Sequence, residues 1–255
     1  MAALSLSVGC ESCLKRKPVA SVPRLAYPSC GAGELPAPEL LASGVLRSGP
    51  EMREQGVVER YTLTQRGCLR IFSVRQEWPR QITDVEVVYD AEYRPLRAWK
   101  RMAVPGFEER TEDIRLYEFR GEHPTMIRRS PDGEESYRFE GGEPVALVGP
   151  GRALVGAWIR RARLEVGEVA RGPVFDFRGL IERVEDGQLR RDADRDDHVL
   201  GAVRVFTFYG RETVFADSRG DVVGDLAGLL EASHVDSPLP PAIPSPTPPD
   251  PRGTP

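Results

Sequence analysis

The stretch VVERYTLTQRGCLRIFSVR, residues 57–75, decides the fold, because two runs of alternating polarity flank a short polar turn. In the first run, Val57, Tyr61 and Leu63 fall on one face, and Arg60, Thr62 and Thr64 fall on the other. Alternation with a period of two is typical of a strand with one buried and one solvated face. Residues 68–75 then return after the turn, so the stretch is predicted to form an antiparallel β-hairpin.

Further β-rich runs, separated by turn residues, continue as far as residue 228. The main strand candidates are Asp84–Tyr89, Leu96–Val104, Asp113–Arg120, Pro124–Ser130, Glu134–Glu140 and Val203–Tyr209. Pro131-Asp132-Gly133 is the strongest turn signal in the chain, because this tripeptide type favours a tight hairpin. Two later turns, around Asp186-Gly187 and around Tyr209-Gly210-Arg211, predict further hairpins.

One segment, Gly151–Arg163, has the period of a helix instead. Its apolar residues form a single stripe made of Leu154, Val155, Trp158, Ile159 and Ala162. A lone amphipathic helix among about ten strands is typical of a sheet that uses the helix as a lid or plug. The sequence therefore predicts a mainly β fold: a curved antiparallel sheet, in the form of a half-barrel or open barrel, with one amphipathic helix.

The composition along the chain predicts three parts. Residues 1–50 are interpreted as an N-terminal apolar segment followed by a flexible tether, with one short helical candidate at Pro38–Val45. Residues 51–230 are predicted to form a single β-rich domain. Residues 231–255 are predicted to be a disordered tail, since nine prolines fall in the last 18 residues and little apolar surface is present to offset the entropy of ordering.

The charge distribution argues against a nucleic-acid partner. The net charge of the chain is -4, divided as +2 for residues 1–50, -4 for 51–230 and -2 for 231–255. No part has the strongly basic balance of a dedicated nucleic-acid binder. No run approaches the roughly 18 apolar residues of a membrane-spanning helix, which excludes integral membrane proteins of that kind.

The first ten residues, MAALSLSVGC, resemble the end of a bacterial lipoprotein signal, in which an apolar segment and a small residue precede a cysteine that becomes lipidated. Gly9 fits the position before the cysteine, but Ser7 replaces the expected leucine and no basic residue precedes the apolar run. Lipidation at Cys10 is one interpretation, and it predicts anchoring to a membrane. The alternative is that these are ordinary N-terminal residues of a cytoplasmic protein.

The other cysteines and an aspartate-rich run give weaker signals. Cys10 and Cys13 have the C-x-x-C spacing of redox and zinc sites, but neither the expected helix nor a second ligand pair is present. Cys68 is interpreted as a small buried apolar residue. The alternation of aspartates at 192, 194 and 196 imitates a calcium loop but fails at its sixth and twelfth positions, so a solvated acidic turn is favoured.

No motif for catalysis or for cofactor binding appears in the sequence. A nucleophile elbow, a Walker loop, an H-E-x-x-H helix and a G-x-G-x-x-G turn are all absent. The sequence therefore predicts a protein that is not an enzyme and that carries neither a cofactor nor a metal.

Apolar side chains offer the remaining indication of function. An incompletely filled concave sheet would hold an apolar or lipid-like ligand, with arginines near its mouth for an anionic group. The residues predicted to bind this ligand are Trp99, Trp158, Phe206, Phe208, Arg160 and Arg161. The alternative is a filled core, which predicts a structural or interaction protein that acts through its sheet edges or its tail.

Residues 57–225 also resemble uncharacterised bacterial envelope β-proteins of the half-barrel lipoprotein-carrier type. The resemblance rests on the order of the hairpins, the turn at Tyr93–Arg97, the Trp-bearing helix at 150–163 and the closing hairpin at Gly201–Asp217. It implies a curved sheet around an apolar cavity and a place in the cell envelope, on the periplasmic side and with an outer-membrane anchor. A cytoplasmic location is the alternative.

Overall fold

The computed structural model describes residues 27–28, 35–49, 56–107, 113–178 and 181–232. These residues form sixteen strands, a short 3-10 turn at Arg152–Leu154 and helix α1 at Val155–Ala162. The strands are β1 (Glu39–Ser48), β2 (Val58–Arg66), β3 (Leu69–Trp78), β4 (Gln81–Tyr89), β5 (Pro95–Ala103), β6 (Asp113–Glu118), β7 (Thr125–Ser130), β8 (Gly133–Arg138), β9 (Ala146–Val148), β10 (Val169–Asp176), β11 (Arg183–Arg191), β12 (Arg195–Asp197), β13 (Gly201–Phe208), β14 (Glu212–Ala216), β15 (Val222–Asp225) and β16 (Leu229–Glu231).

One large sheet runs through the molecule in the order β8-β7-β6-β5-β4-β3-β2-β1-β16-β15-β14-β13-β11-β10-β9. Neighbouring strands are antiparallel, apart from the parallel pair of β9 and β10. Strand β12 pairs with β13 off this path. The order ends at two different edge strands, β8 and β9, so the sheet is not closed by backbone hydrogen bonds and the predicted open barrel with one helix is confirmed.

The hairpin predicted at residues 57–75 is formed by β2 and β3, which pair from Val58 opposite Glu77 to Arg66 opposite Leu69. Tyr61 and Leu63 are buried and Thr62 is exposed, as the alternation requires. Since side chains alternate between the two faces of a strand, local polarity is sufficient to orient this part of the sheet.

Helix α1 lies against the concave face of the sheet, within the segment predicted to be helical. Its first five residues, Val155–Ile159, are all buried. The helix ends at Arg163, which adopts the left-handed conformation with φ 47° and donates its N–H to the carbonyl of Ile159 at 3.2 Å. The helix plugs the curved sheet as predicted.

Aromatic side chains fill the rest of the concave side. Tyr117 and Phe119, at the end of β6, face Phe175 and Phe177, at the end of β10, with ring centroids 5.2–5.9 Å apart. All four are at most 2% exposed. Packing between the two sides of the curved sheet is therefore dense, and it joins regions that no backbone pairing links.

The helical candidate at Pro38–Val45 is wrong, because this segment belongs to strand β1. Strand β1 pairs with β2 on one side and with β16 on the other, so it joins the two halves of the sheet. Strand β1, which begins at Glu39, therefore lies inside the segment predicted as a tether. Gly44 lies directly against Tyr61, where a Cβ atom would lie 2.6 Å from the ring, so the missing side chain makes room for a core aromatic.

The turn predicted at Asp186-Gly187 is also wrong, since both residues lie inside β11. A Cβ atom at Gly187 would lie 2.3 Å from the Val174 side chain and 3.3 Å from the Trp158 indole. The glycine therefore serves close packing and not chain reversal. The hairpin turn predicted at Tyr209–Arg211 is confirmed between β13 and β14.

Cys68 differs from its prediction as well, because it is exposed and disulfide-bonded. The other cysteines of the chain, Cys10, Cys13 and Cys30, lie outside the described residues, as does most of the predicted tail. No helix in the described part of the chain is long and apolar enough to cross a membrane.

Candidate functional site

Three of the four predicted ligand-binding aromatics are buried in the core. Trp158, Phe206 and Phe208 belong to one packed core cluster, and their exposed fractions are 2%, 2% and 0%. Because each is covered on all sides by other core side chains, the three stabilise the fold in this structure.

The predicted arginines lie in the last turn of α1, and both are half-buried. Arg160 donates hydrogen bonds to Asp221, at 2.5 Å, and to the carbonyl of Gly220, at 3.1 Å. Its charge is thereby paired at the last turn of the helix. Arg161 is half-buried, and its Nη1 atom has no hydrogen-bond partner in the described part of the chain.

Trp99 lies on the opposite, convex face of the sheet. It borders a shallow groove of about 490 Å³ across β2 to β5 and hydrogen-bonds to Glu86. The Ser73 hydroxyl and the Tyr27 hydroxyl also approach Glu86, at 3.5 and 3.4 Å. Burial raises the pKa of Glu86, and these hydrogen bonds oppose the rise. The six predicted residues are therefore divided between two faces of the sheet.

A different cleft opens at the end of the barrel where α1 begins, and it is called the end cleft below. Its volume is about 600 Å³, which is within the range of small-molecule sites. Four separate segments contribute to it: the β3–β4 turn, the residues before α1, the residues after β10, and β16. The lining residues are Gln76, Trp78, Pro79, Arg80, Gln81, Thr83, Pro150, Arg152, Arg178 and Leu229.

Gln76 fixes the floor and one wall of the end cleft. Its amide donates to the carbonyl of Pro150 at 2.6 Å, which ties β3 to the segment before the helix. Its side-chain oxygen accepts the indole N–H of Trp78 at 2.8 Å. The indole is thereby held in one orientation at the wall, with its apolar surface half-buried.

Three arginines surround the end cleft, but only one is unpaired. Arg152 donates to Asp225 at 2.7 Å, and Arg178 binds both Asp176 and Glu212. Arg80 is exposed at the β3–β4 turn and makes no ion pair with any described residue. The cleft therefore offers one uncompensated cation at its rim and two that are already neutralised.

A buried carboxylate lies beneath the end cleft. Glu59, on β2, accepts the backbone N–H groups of Arg152 at 2.8 Å and of Ala153 at 2.7 Å. It thus satisfies donors at the start of the helical segment that would otherwise have no partner. Burial raises the pKa of Glu59 to about 7, against the effect of these two hydrogen bonds.

A second buried set of charges joins β5 and β6 to the loop before β11. It is called the buried cluster below and consists of Lys100, Asp113, Arg115, Tyr117 and Glu182. One oxygen of Glu182 accepts from Lys100 at 2.7 Å, Arg115 at 2.8 Å and Tyr117 at 2.6 Å. Its second oxygen is buried without a hydrogen-bond partner among the described residues. Burial lowers the pKa of Lys100, although the charge of Glu182 opposes that change.

The acidic run at residues 192–197 is not the predicted turn: its last three residues form strand β12, and the turn follows at residues 198–200. Asp197 accepts the backbone N–H groups of Val199 and Leu200, and Asp192 accepts the hydroxyl of Thr207 at 2.6 Å. No group of three His, Cys, Asp or Glu side chains in the described ranges is arranged to hold a metal ion.

Sequence reasoning did not identify the end cleft. One signal was present: Trp78-Pro79-Arg80 places a large aromatic residue at the end of a strand and a cation in the turn that follows it. The partners of this turn, at residues 150–152, 178 and 229, are distant in sequence and have no local pattern that assigns them to the same site.

No protein-family model matches the chain, and no curated protein matches it. Two solved structures have similarities to the chain. One is a DUF1089 family protein from Pseudomonas aeruginosa, with 15% identity over 79% of this chain and 96% of that chain and a TM-score of 0.40. The other is a β-barrel-like protein of the domain of unknown function DUF1849 from Brucella abortus, with 12% identity, coverages of 74% and 86%, and a TM-score of 0.37. At these TM-scores neither likeness says what this chain binds.

Proposed function

We propose that the protein is a non-enzymatic binding protein of the cell envelope, and that the end cleft holds an apolar or lipid-like molecule that carries an anionic group. The composition of the cleft is the observation that carries this proposal. Trp78 and Leu229 supply apolar surface, and Arg80 supplies an unpaired charge at the rim. An apolar concavity with a few placed polar groups is the usual form of a small-molecule site.

The disulfide of Cys68 supports the envelope part of the proposal. Stable disulfides persist in oxidising compartments such as the periplasm and are rare in the cytoplasm. Lipidation at Cys10 would add a membrane anchor. Labelled palmitate should enter the full-length product and should be lost on Cys10→Ser, while label that survives the substitution would contradict the anchor.

Binding to the end cleft is tested by titrating the purified full chain with dansylundecanoic acid and, separately, with its methyl ester. The acid should bind and the ester should bind several-fold more weakly, because only the acid pairs with Arg80. Trp78→Ala should weaken binding of the acid roughly tenfold, since a large part of the apolar wall is lost. Trp99→Ala is the matched control on the convex face and should leave binding unchanged. No binding of either probe, or equal losses in the two variants, would contradict the proposal.

The alternative is a structural or interaction protein without a ligand, and the filled concave side favours it. Trp158 and Phe208 are fully packed where a carrier of the half-barrel type would have an open cavity. In this alternative neither probe binds, and the native protein carries no co-purifying lipid in its mass spectrum.

A further inference from the structure

Strand β8 is an exposed edge of the large sheet. All six of its residues, Gly133–Arg138, are exposed, whereas the three residues of the other edge strand, β9, are all buried. Strand β8 pairs with β7 on one side, and no described strand pairs with its other side. It contains no proline, lysine or bulge, and the charges that it does carry are of both signs, with Glu134 and Glu135 followed by Arg138.

The register of the β7–β8 hairpin determines which backbone groups face outward. Phe139, directly after β8, donates its N–H to the carbonyl of Pro124 at 2.9 Å. Since hydrogen-bonded positions alternate along an antiparallel pair, the N–H and C=O groups of Glu134, Ser136 and Arg138 point away from β7. These three alternate residues of β8 therefore offer unpaired backbone donors and acceptors at the free edge.

The charges on this edge are complementary to themselves when the strand is reversed. Glu134 and Arg138 lie two residues on either side of Ser136 and share its face of the sheet. If two copies of β8 pair in antiparallel about a two-fold axis at Ser136, each Glu134 lies opposite Arg138 of the second copy. The three outward-facing residues of each strand then exchange backbone hydrogen bonds with the other strand, and none is left over.

The absence of an ion-pair partner for Arg138 among the described residues of its own chain supports this register. Arg138 forms no ion pair with any described residue, whereas Glu134 accepts a hydrogen bond from Arg129 of its own chain at 2.7 Å. A second copy would supply each Arg138 with a carboxylate partner and would flank each Glu134 with arginines on both sides.

We propose that β8 is a self-association surface, through which two copies of this chain join their sheets by antiparallel β8–β8 pairing centred on Ser136. The contact consists of a single pair of six-residue strands, so its area is in the range of weak and transient interfaces. We expect a dimer with a dissociation constant on the order of 10–100 µM.

Sedimentation velocity over a series of concentrations tests the proposal. Ser136→Pro removes an N–H that faces outward and leaves the β7–β8 hydrogen bonds intact, so it should weaken the dimer at least about tenfold while the circular dichroism spectrum is unchanged. Ser136→Ala is the matched control and should dimerise like the original chain. A chain that stays monomeric at millimolar concentration, or a dimer that is equally strong in Ser136→Pro, would overturn the proposal.

A charge-exchange experiment tests the register without depending on proline. Glu134→Arg and Arg138→Glu each place like charges opposite one another in the self-pair, so each variant alone should dimerise several-fold more weakly. An equimolar mixture of the two variants should recover association, because every substituted position then faces an opposite charge. Failure of the mixture to recover, with both variants folded, would contradict pairing centred on Ser136.

Discussion

Two sets of charged residues in this molecule have similar chemistry and opposite surroundings. The buried cluster around Glu182 lies inside the barrel, while an outer ladder of Arg60, Arg75, Glu77, Asp84 and Arg101 crosses β2 to β5 on the convex face. The Glu182 side chain is 2% exposed and the Glu77 side chain is 34% exposed. The ion pairs of Glu182 with Lys100 and Arg115 are 2.7 and 2.8 Å long, and those of Glu77 with Arg60 and Arg75 are both 2.9 Å long. These pairs are alike in geometry and differ in hydration, so we expect hydration to determine how much each set affects stability.

Removal of Glu182 should give the largest effect. Glu182→Ala leaves the charges of Lys100 and Arg115 buried without their common acceptor, so we expect a loss of about 3–5 kcal/mol in the free energy of unfolding. Urea denaturation of the full chain measures this loss. The matched variant on the outer ladder is Glu77→Ala, which should lose less than about 1 kcal/mol. Similar losses in the two variants would show that burial does not separate the two sets.

Glu59 is a third case, because it is a buried carboxylate whose hydrogen bonds come mainly from backbone groups. Its pKa is raised from 4.5 to about 7 in the folded protein, so the folded state binds the proton more tightly than the unfolded state does. The stabilising contribution is therefore complete below pH 4.5 and is lost as the pH rises to about 7. The expected loss over this window is about 3 kcal/mol.

The unfolding free energy measured between pH 4 and pH 8 tests this expectation, with Glu59→Gln as the comparison. Glutamine cannot ionise, so the difference in slope between the two proteins isolates residue 59 from the other titrating groups. The variant should be less stable at low pH, because its amide accepts only one of the two backbone N–H groups, but its curve should be flatter. Parallel curves would contradict a raised pKa at Glu59.

A pair of tyrosines allows the same comparison with a hydroxyl group. Tyr117 is 2% exposed and donates to Glu182 at 2.6 Å, whereas Tyr137 is 41% exposed and donates to Glu135 at 2.5 Å. Tyr117→Phe should cost about 1–3 kcal/mol, since it removes a charge-assisted hydrogen bond from a carboxylate that water cannot reach. Tyr137→Phe should cost less than about 0.5 kcal/mol, because water replaces the lost hydroxyl. Thermal denaturation of both variants checks the difference.

Sequence patterns predicted the sheet well where polarity alternates locally. Tyr61 and Leu63 needed only their neighbours to be assigned to the inner face. Strand β1 was missed because its pattern is weak, and its place is determined by pairing with β2 and with the distant β16. The Asp-Gly pair at 186–187 predicts a turn from sequence alone, because the contact that requires Gly187, with Trp158, is not local.

The site was harder to predict than the fold for the same physical reason. The end cleft is assembled from segments near residues 78, 150, 178 and 229, and no short pattern connects them. Phe206 and Phe208 carried the strongest apolar signal, but a large aromatic side chain is equally suited to filling a core. The polarity of each residue can be read from the sequence. The position of a cleft depends instead on how segments that are distant in sequence pack against one another.

The smallest expected effect tests the outer ladder itself. Glu77 accepts from Arg60 and Arg75, at 2.9 Å in both cases, so Glu77→Gln removes two ion pairs while it keeps a side chain of the same size. Because these groups are partly hydrated, we expect a loss of about 0.2–1 kcal/mol in low salt. The loss should shrink further in 1 M salt, where the Debye length falls to about 3 Å and exposed charges are screened. Denaturation at both salt concentrations measures it. A loss of several kcal/mol that salt does not reduce would mean that the outer ladder is as poorly hydrated as the buried cluster, and that burial does not separate the two regions.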